Sequence, residues 1–325
     1  MSQNGVPNVY VKCICTELEN NSKNDIISTI YIGGGTPSLL SVEQLAQIIQ
    51  GVKLNFTVSE DVEFTLEVNP ETFGQEKFLG FRELGVNRVS LGIQSFRTKY
   101  LIYLGRVHSA ERAKTALQGL KEIFANVSVD LLSNLPGQTL DEARDDLLTA
   151  AGYSPEHISC YELTYEKGTA LAGEKKNELD AEMYKQTKTI LEQNGYRQYE
   201  ISNYARPGFE SEHNLTYWSD GSYLGVGVSA HSYDAEKKIR RANTGDLAKY
   251  LSGDCGTETT PEDSFNKIMM GLRKNSGIPL AYLDDRQKIK AGELAKKDLL
   301  TITTGHCGLT DAGRLVLNKI LLELM

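Results

Sequence analysis

The chain has 325 residues, 40% of them hydrophobic and 24% charged, with a formal net charge of −8. That is the profile of a globular protein of about two domains with a large core, and an acidic balance without a basic stripe argues against nucleic acid as a partner. No apolar run approaches the roughly 20 residues that span a membrane, MSQNGVPNVY lacks the basic-then-apolar order of a secretory signal, and five scattered cysteines (Cys13, Cys15, Cys160, Cys255, Cys307) suit reduced thiols in a cytoplasm.

Residues 10–19 (YVKCICTELE) read as a helix and 26–32 (IISTIYI) as a strand. Strand-like runs follow at 62–68, 87–93, 127–132 and 157–163, with helical patterns between them at 41–50, 75–84, 109–124 and 139–151. Strands that alternate with helices imply βαβ units and a parallel sheet. The strands read as apolar almost throughout, as expected where both faces are covered. The sheet is either an open doubly wound sheet or a full or partial barrel. Polar residues gather at the strand ends (Glu67, Asn69, Gln94, Asp130, Glu162), where parallel α/β folds place their ligands. After about residue 175 the rhythm changes. A helix at 179–194 precedes a Tyr- and Gly-rich stretch that reads as irregular or antiparallel. From about 261 short helices return, followed by a strand-turn-helix ending, a pattern that fits a winged-helix-like cap.

YIGGGTPSLL (31–40) raises the first functional question. Gly33, Gly34 and Gly35 directly follow a strand. Glycine permits positive φ and close approach, and bare amides grip anionic or polar ligands. The spacing is neither a Walker turn nor a dinucleotide fingerprint. A tight strand-to-helix turn that needs glycine for geometry alone is the other reading.

Seven words occur in order: GGGTPS, LEVNPE, RVSLGIQSF, LGRVHS, DLLSNLPGQT, HNLTYW and YLGVGVSAHSYD. Together they resemble the coproporphyrinogen-dehydrogenase-like branch of the radical S-adenosylmethionine (SAM) superfamily, and within it the HemW-type heme chaperone family. The resemblance covers the chain from about residue 10 to its end. It implies an α/β fold: a partial (β/α)6 barrel lacking its first strand, followed by a C-terminal α+β lobe with a winged-helix-like end. The implied organisation is a barrel over 1–175, a connecting helix and Tyr/Gly-rich lobe over 176–260, and a helical domain over 261–325. Carried over residue by residue, the resemblance assigns SAM to Gly34, Gly35 and Thr36 of the glycine turn, to Glu67, and to Gln94, Arg106 and Asp130. A zwitterionic sulfonium needs amide donors, carboxylate acceptors and a guanidinium in fixed places. As alternatives, Glu67 or Asp130 caps a helix or joins an ion pair, and Arg106 is a surface cation. The family's Tyr-Gly before Leu-Pro-Gly is Ser133-Asn134 here, which questions the geometry beside Asp130.

The family also carries a C-x-x-x-C-x-x-C loop whose three thiolates hold a [4Fe–4S] cluster. No such loop is present; Cys13 and Cys15 sit one residue apart in a helical pattern and point in different directions. YVKCICTELE resembles the helix that follows the loop. Either the sequence is a shortened family member, the favoured reading because the SAM-side words persist, or it is a relative that has lost cluster chemistry. Without three thiolates, reductive cleavage of SAM is not expected of this chain.

His213 in HNLTYW, beside Tyr217 and the only tryptophan, Trp218, is the leading candidate ligand for heme iron, and the aromatic rings suit a flat macrocycle. His231 in GVSAHSYD is the runner-up. The alternative is that His213 and Asn214 brace an irregular loop and Trp218 fills core. His108 reads as orienting the Arg106 loop; His157 and His306 read as structural. Three functions follow: a protein that binds heme and passes it to an acceptor; a coproporphyrinogen III oxidase-like enzyme; and a cluster-free scaffold that binds SAM or a partner protein. Expected partners are a heme-accepting protein and, as one option, a second copy of the chain. Peripheral membrane contact stays open.

Overall fold

A computed structural model describes residues 5–22, 25–163, 179–263 and 265–325; the domain boundary expected at residue 175 lies outside them. The chain divides into two compact units: Met1–Tyr31 with Leu39–Phe64 and Ser211–Met325, and Ile32–Ser38 with Thr65–Glu210.

The second unit contains most of the expected α/β alternation. Helix α1 (Asn8–Asn20), nearly all of strand β1 (Ile26–Ile32) and helix α2 (Val42–Asn55) precede it in the chain and belong to the first unit. Then come β2 (Thr57–Val68), α3 (Gln75–Glu83), β3 (Arg88–Gln94), α4 (Thr98–Tyr103), α5 (Ala110–Ile123), β4 (Asn126–Ser133), α6 (Leu140–Gly152) and β5 (His157–Glu162). After α7 (Asp180–Gln193), the short strands β6 (Arg197–Gln198) and β7 (Asn203–Ala205) close the sheet. Its order is β1-β2-β3-β4-β5-β7-β6. The pairs β2–β3, β3–β4 and β4–β5 are parallel, and β7 runs antiparallel to β5. Strands in sequential order, with no reversal from β1 to β5, build a barrel wall and not a doubly wound sheet.

Local sequence starts the helices. Ser41 with Gln44, and Thr139 with Glu142, form capping boxes at α2 and α6, and Ser109 caps α5. The strands depart from the expected apolar runs. Val89, Leu91 and Ile93, then Val127, Val129 and Leu131, then Ile158, alternate with Arg88, Ser90, Ser128, Asp130, His157 and Ser159. All of β3 is buried, yet one face is polar. Those polar groups bond to one another: Ser90 Oγ donates to Asp130, and Ser128 Oγ lies 2.8 Å from His157 Nδ1. Mutual hydrogen bonding is what makes such burial tolerable.

In the first unit, α1 buries Val11, Ile14 and Leu18 on one stripe. Glu17 is buried on the same stripe and accepts from Gly227 N (2.9 Å), Asn243 Nδ2 (2.6 Å) and Tyr250 OH (2.7 Å). HNLTYW departs from the irregular or antiparallel expectation: it lies in helix α8 (Glu212–Trp218). Ser211 caps that helix, accepting from Asn214 N, and the Glu63 carboxylate receives Ser211 Oγ, Glu212 N and His213 N at 3.0–3.2 Å. Seven residues are too few for an apolar period to show in the sequence. The Tyr/Gly-rich stretch that follows is antiparallel: β8 (His231–Asp234), β9 (Ile239–Ala242) and, after α9 (Leu247–Leu251), β10 (Glu258–Pro261). The chain ends in α10 (Asn266–Gly271), β11 (Ile278–Pro279), α11 (Asp285–Lys296), the hairpin β12 (Leu300–Thr303) and β13 (His306–Leu309), α12 (Asp311–Arg314) and α13 (Leu317–Leu324). The three-stranded order β11-β13-β12 among short helices has the winged-helix-like character expected. Among the described residues no helix is long and apolar enough to cross a membrane.

Gly313 provides a test of packing against propensity. It lies in α12, where alanine would favour helix by about 1 kcal/mol. A Cβ there would sit 1.9 Å from the Leu299 carbonyl oxygen. Gly313→Ala is expected to destabilise the protein by about 1–3 kcal/mol in chemical denaturation; a neutral or stabilising result would refute the close approach.

Candidate functional site

Within the second unit the glycine turn and the strand ends are tied to one another. Gly34 and Gly35 have φ of 80° and 64°, conformations that favour glycine. A Cβ at Gly34 would meet nothing within 4 Å, so the turn faces open space. Gly34 N donates to Glu67 Oε2 at 2.9 Å, and Asn69 Nδ2 donates to Thr36 Oγ1 at 3.1 Å. Buried Ser38 completes the link: its Oγ accepts from Asn69 N (3.2 Å) and Thr72 Oγ1 (2.6 Å). GGGTPS and LEVNPE are thus one hydrogen-bonded structure. Asn69, expected at the strand end, takes its place there, and Ser38 is a contributor that the sequence did not single out for the site.

Strand register carries the arrangement onward. Glu67 stands opposite Ser90, Gly92 opposite Asp130, and Asp130 opposite Ser159. Gln94 ends β3 at a register irregularity, with φ of 69°. A left-handed, non-glycine residue at a strand end stores strain, and neighbouring groups hold it. Ser95 Oγ and Phe96 N both donate to Asp146 of α6, at 2.6 and 2.9 Å, and His108 Nε2 lies 3.2 Å from the Ile93 carbonyl. His108 Nδ1 stands 3.4 Å from Glu71, an ion-pair separation. Burial works to raise the Glu71 carboxyl, but the nearby His108 and the Arg106 guanidinium hold it below its ordinary value. The structure therefore puts Arg106 beside Glu71, in the segment that follows Glu67. Asn134 has φ of 60° and donates from Nδ2 to Glu162 Oε1 at 3.2 Å. Asparagine is among the few residues that accept this conformation, so it can stand where the family has glycine.

Asp130 is the electrostatic centre of this unit. Burial pushes its carboxyl upward, hydrogen bonds from Ser159 and Ser90 oppose that, Glu67 adds to it and Arg88 opposes it. Two carboxylates, on the strands β2 and β4 that flank β3, form with the amide donors of the glycine turn a surface that a cation with its own carboxylate would neutralise. These residues fit SAM. The cysteines do not fit a [4Fe–4S] cluster. Cys13 and Cys15 Sγ face the Leu251 and Gln47 carbonyls at 3.7 Å, on different sides of α1. Among the described residues no group of three or more His, Cys, Asp or Glu is arranged for a metal ion.

In the first unit, His213 Nδ1 lies 2.8 Å from Thr29 Oγ1 and Nε2 2.8 Å from Tyr217 OH. Its ring stacks on Tyr31 with centroids 4.8 Å apart and planes 17° apart. Tyr217 meets the His213 and Tyr223 rings edge-on, and burial pushes its phenol up to about 12, with Tyr223 adding to the rise. Arg273 lies over the Trp218 ring at 4.6 Å. His231 begins β8 and is exposed. His213 and Tyr217 are thus brought together, with Trp218 on the same helix; no such contact places His231 with them.

A model of the radical SAM superfamily matches residues 14–150. The heme chaperone HemW of Bacillus subtilis (strain 168) is 35% identical over 321 residues, covering 90% of this chain and 84% of that protein. HemW of Escherichia coli (strain K12) is 33% identical over 336 residues, covering 96% and 88%. This chain belongs to the HemW heme chaperone family. The solved structure of coproporphyrinogen III oxidase (HemN) from Escherichia coli, a radical SAM enzyme, superposes with a TM-score of 0.80 at 20% identity, covering 98% of this chain and 82% of that one. That likeness shows the fold: a radical-SAM-type partial barrel with a HemN-like remainder.

Asp130 yields a test in which stability and binding oppose each other. A carboxyl whose folded value is raised favours folding below its ordinary 3.8, and that contribution is lost as pH rises through the folded value. Asp130→Asn keeps an acceptor for the serine hydroxyls and removes the half-buried charge. It is expected to raise stability at pH 7 by on the order of 1–3 kcal/mol, a gain that disappears on acidification below the ordinary value. Thermal denaturation across pH checks this; an Asn variant less stable than wild type at pH 7 would contradict it.

Proposed function

We propose that this chain binds heme as cargo and passes it to an acceptor protein, on a barrel that holds SAM. The observation that carries the reading is family membership over nearly the full chain, with HNLTYW folded as an anchored helix whose His213 and Tyr217 pair at 2.8 Å. In this reading the α8 side chains face the macrocycle, Trp218 and Tyr217 offer apolar surface, and His213 or Tyr217 supplies the iron contact; exposed His231 is the secondary candidate.

For SAM, the Gly34–Thr36 backbone would receive the carboxylate, Glu67 and Asp130 would face the cationic groups, and Gln94 and Arg106 would complete the surround. When bound, SAM supplies a sulfonium and an adenosyl group; this chain's residues bind and orient them. A cytoplasmic setting is part of the reading, supported by five free thiols. A HemN-like oxidase reading is weaker, because oxidative decarboxylation draws on cluster electrons that these cysteines do not support. The heme acceptor and any homodimer belong to the same proposal.

Hemin titration of the full chain tests the reading. Wild type is expected to give a saturable Soret shift and to release heme to an added apo-hemoprotein, and a variant carrying both His213→Ala and Tyr217→Phe to lose the shift. No shift in wild type, or an undiminished one in the double variant, would overturn it.

A further inference from the structure

Gln94 is 9% exposed, yet its carboxamide makes no hydrogen bond among the described residues. Two polar atoms without partners on a mostly buried side chain do nothing for the fold. Their place is nevertheless closely defined. A Cβ on Gly92, two residues earlier in β3, would stand 3.0 Å from Gln94 Nε2 and 3.6 Å from Asn69 Oδ1. The carboxamide therefore lies back over the bare Cα of Gly92, beside the asparagine whose Nδ2 reaches Thr36 Oγ1 at 3.1 Å. A side chain on Gly92 would push the carboxamide out of that position.

The backbone beneath Gln94 is held from α6. Its φ of 69° and the register irregularity between Gly92 and Gln94 depart from a regular strand. Asp146 is 3% exposed, and both its carboxylate oxygens are taken by the next two residues: Ser95 Oγ donates to one at 2.6 Å and Phe96 N to the other at 2.9 Å. Ser95 Oγ in turn accepts from Arg97 N at 3.1 Å, and Arg97 Nη2 donates to Asp145 at 2.7 Å. A left-handed residue other than glycine persists only where its surroundings over-determine it. Without the Asp146 carboxylate the backbone is free to relax toward an ordinary strand, and the carboxamide leaves Gly92. A donor and acceptor fixed during folding bind more tightly than ones that must be ordered by the ligand.

We propose that Asp146 and Gly92 are positioning residues for the ligand of these strand ends: Asp146 fixes the turn that carries Gln94, Gly92 keeps clear the space its carboxamide lies over, and the carboxamide is presented before the ligand arrives. This rests on the SAM reading above. Asp146 acts only through Gln94.

The test is the SAM affinity of the full-length protein, measured by equilibrium dialysis in double-variant cycles with Gln94→Ala. Wild type is expected to bind saturably. Gln94→Ala and Asp146→Leu are each expected to weaken binding about tenfold, and Gly92→Ala about fivefold. Asp146→Asn keeps an oxygen for Phe96 N and offers its amide to Ser95 Oγ, so it is expected to stay within about twofold of wild type. On the Gln94→Ala background, Asp146→Leu and Gly92→Ala are expected to cost nothing further, which a general loss of structure would not reproduce. Losses that multiply in the double variants, or wild-type affinity in either Asp146→Leu or Gly92→Ala, would overturn the inference while leaving SAM binding intact. Failure of wild type to bind SAM would sink both. If Asp146→Leu fails to fold, the Gly92→Ala cycle decides alone: a loss that vanishes on the Gln94→Ala background supports the assignment, and one that persists there refutes it.

Discussion

Parallel pairing of β2 through β5 brings the ends of four strands to one edge, and there the carboxylates of Glu67 and Asp130 stand on either side of β3. Glu67 is tied to the glycine turn through Gly34, while Asp130 is enclosed by Ser90 and Ser159 and feels Glu67 as an unfavourable neighbour. A fold optimised for stability alone would not place a half-buried acid there. The polar strand faces, the strained Gln94 and the clamp from Asp146 all support that edge. Binding a cation is the event that would repay the arrangement.

The first unit depends on a different carboxylate. Glu63 receives the capping hydroxyl and the first amides of α8, which holds a seven-residue helix that has no apolar stripe of its own. Thr29 and Tyr31 of β1 then fix the imidazole of His213. The result is a histidine held by three neighbours and paired with a buried tyrosine.

Much of this was legible in the chain. The spacing of β1 to β5 and their intervening helices follows from apolar runs broken by capping residues such as Ser41, Ser109 and Thr139. The glycine turn and the polar strand ends announced themselves because glycine and charge are rare in those settings. The alternation inside β3 to β5 was harder to see, since Ser90, Ser128 and Ser159 are small and pass as tolerated core residues until their link to Asp130 and His157 is known. The helix at HNLTYW was hidden because its anchor, Glu63, lies about 150 residues away, and no local window contains it. Glu17 and Asp146 do not stand out in the sequence for the same reason: each is a buried acid whose donors lie far away in the chain. Asn134 departs from the family pattern, yet asparagine tolerates the left-handed backbone found there.

The central claim is that the glycine turn and the neighbouring strand ends form one surface for a sulfonium zwitterion. Backbone amide chemical shifts of deuterated, nitrogen-labelled protein, recorded as SAM is added, report on it directly. The account expects saturable shifts at Gly34, Gly35 and Thr36, at Gln94 and around Asp130, with the 280–325 region silent. Shifts absent from the glycine turn, or spread evenly over the chain, would contradict it.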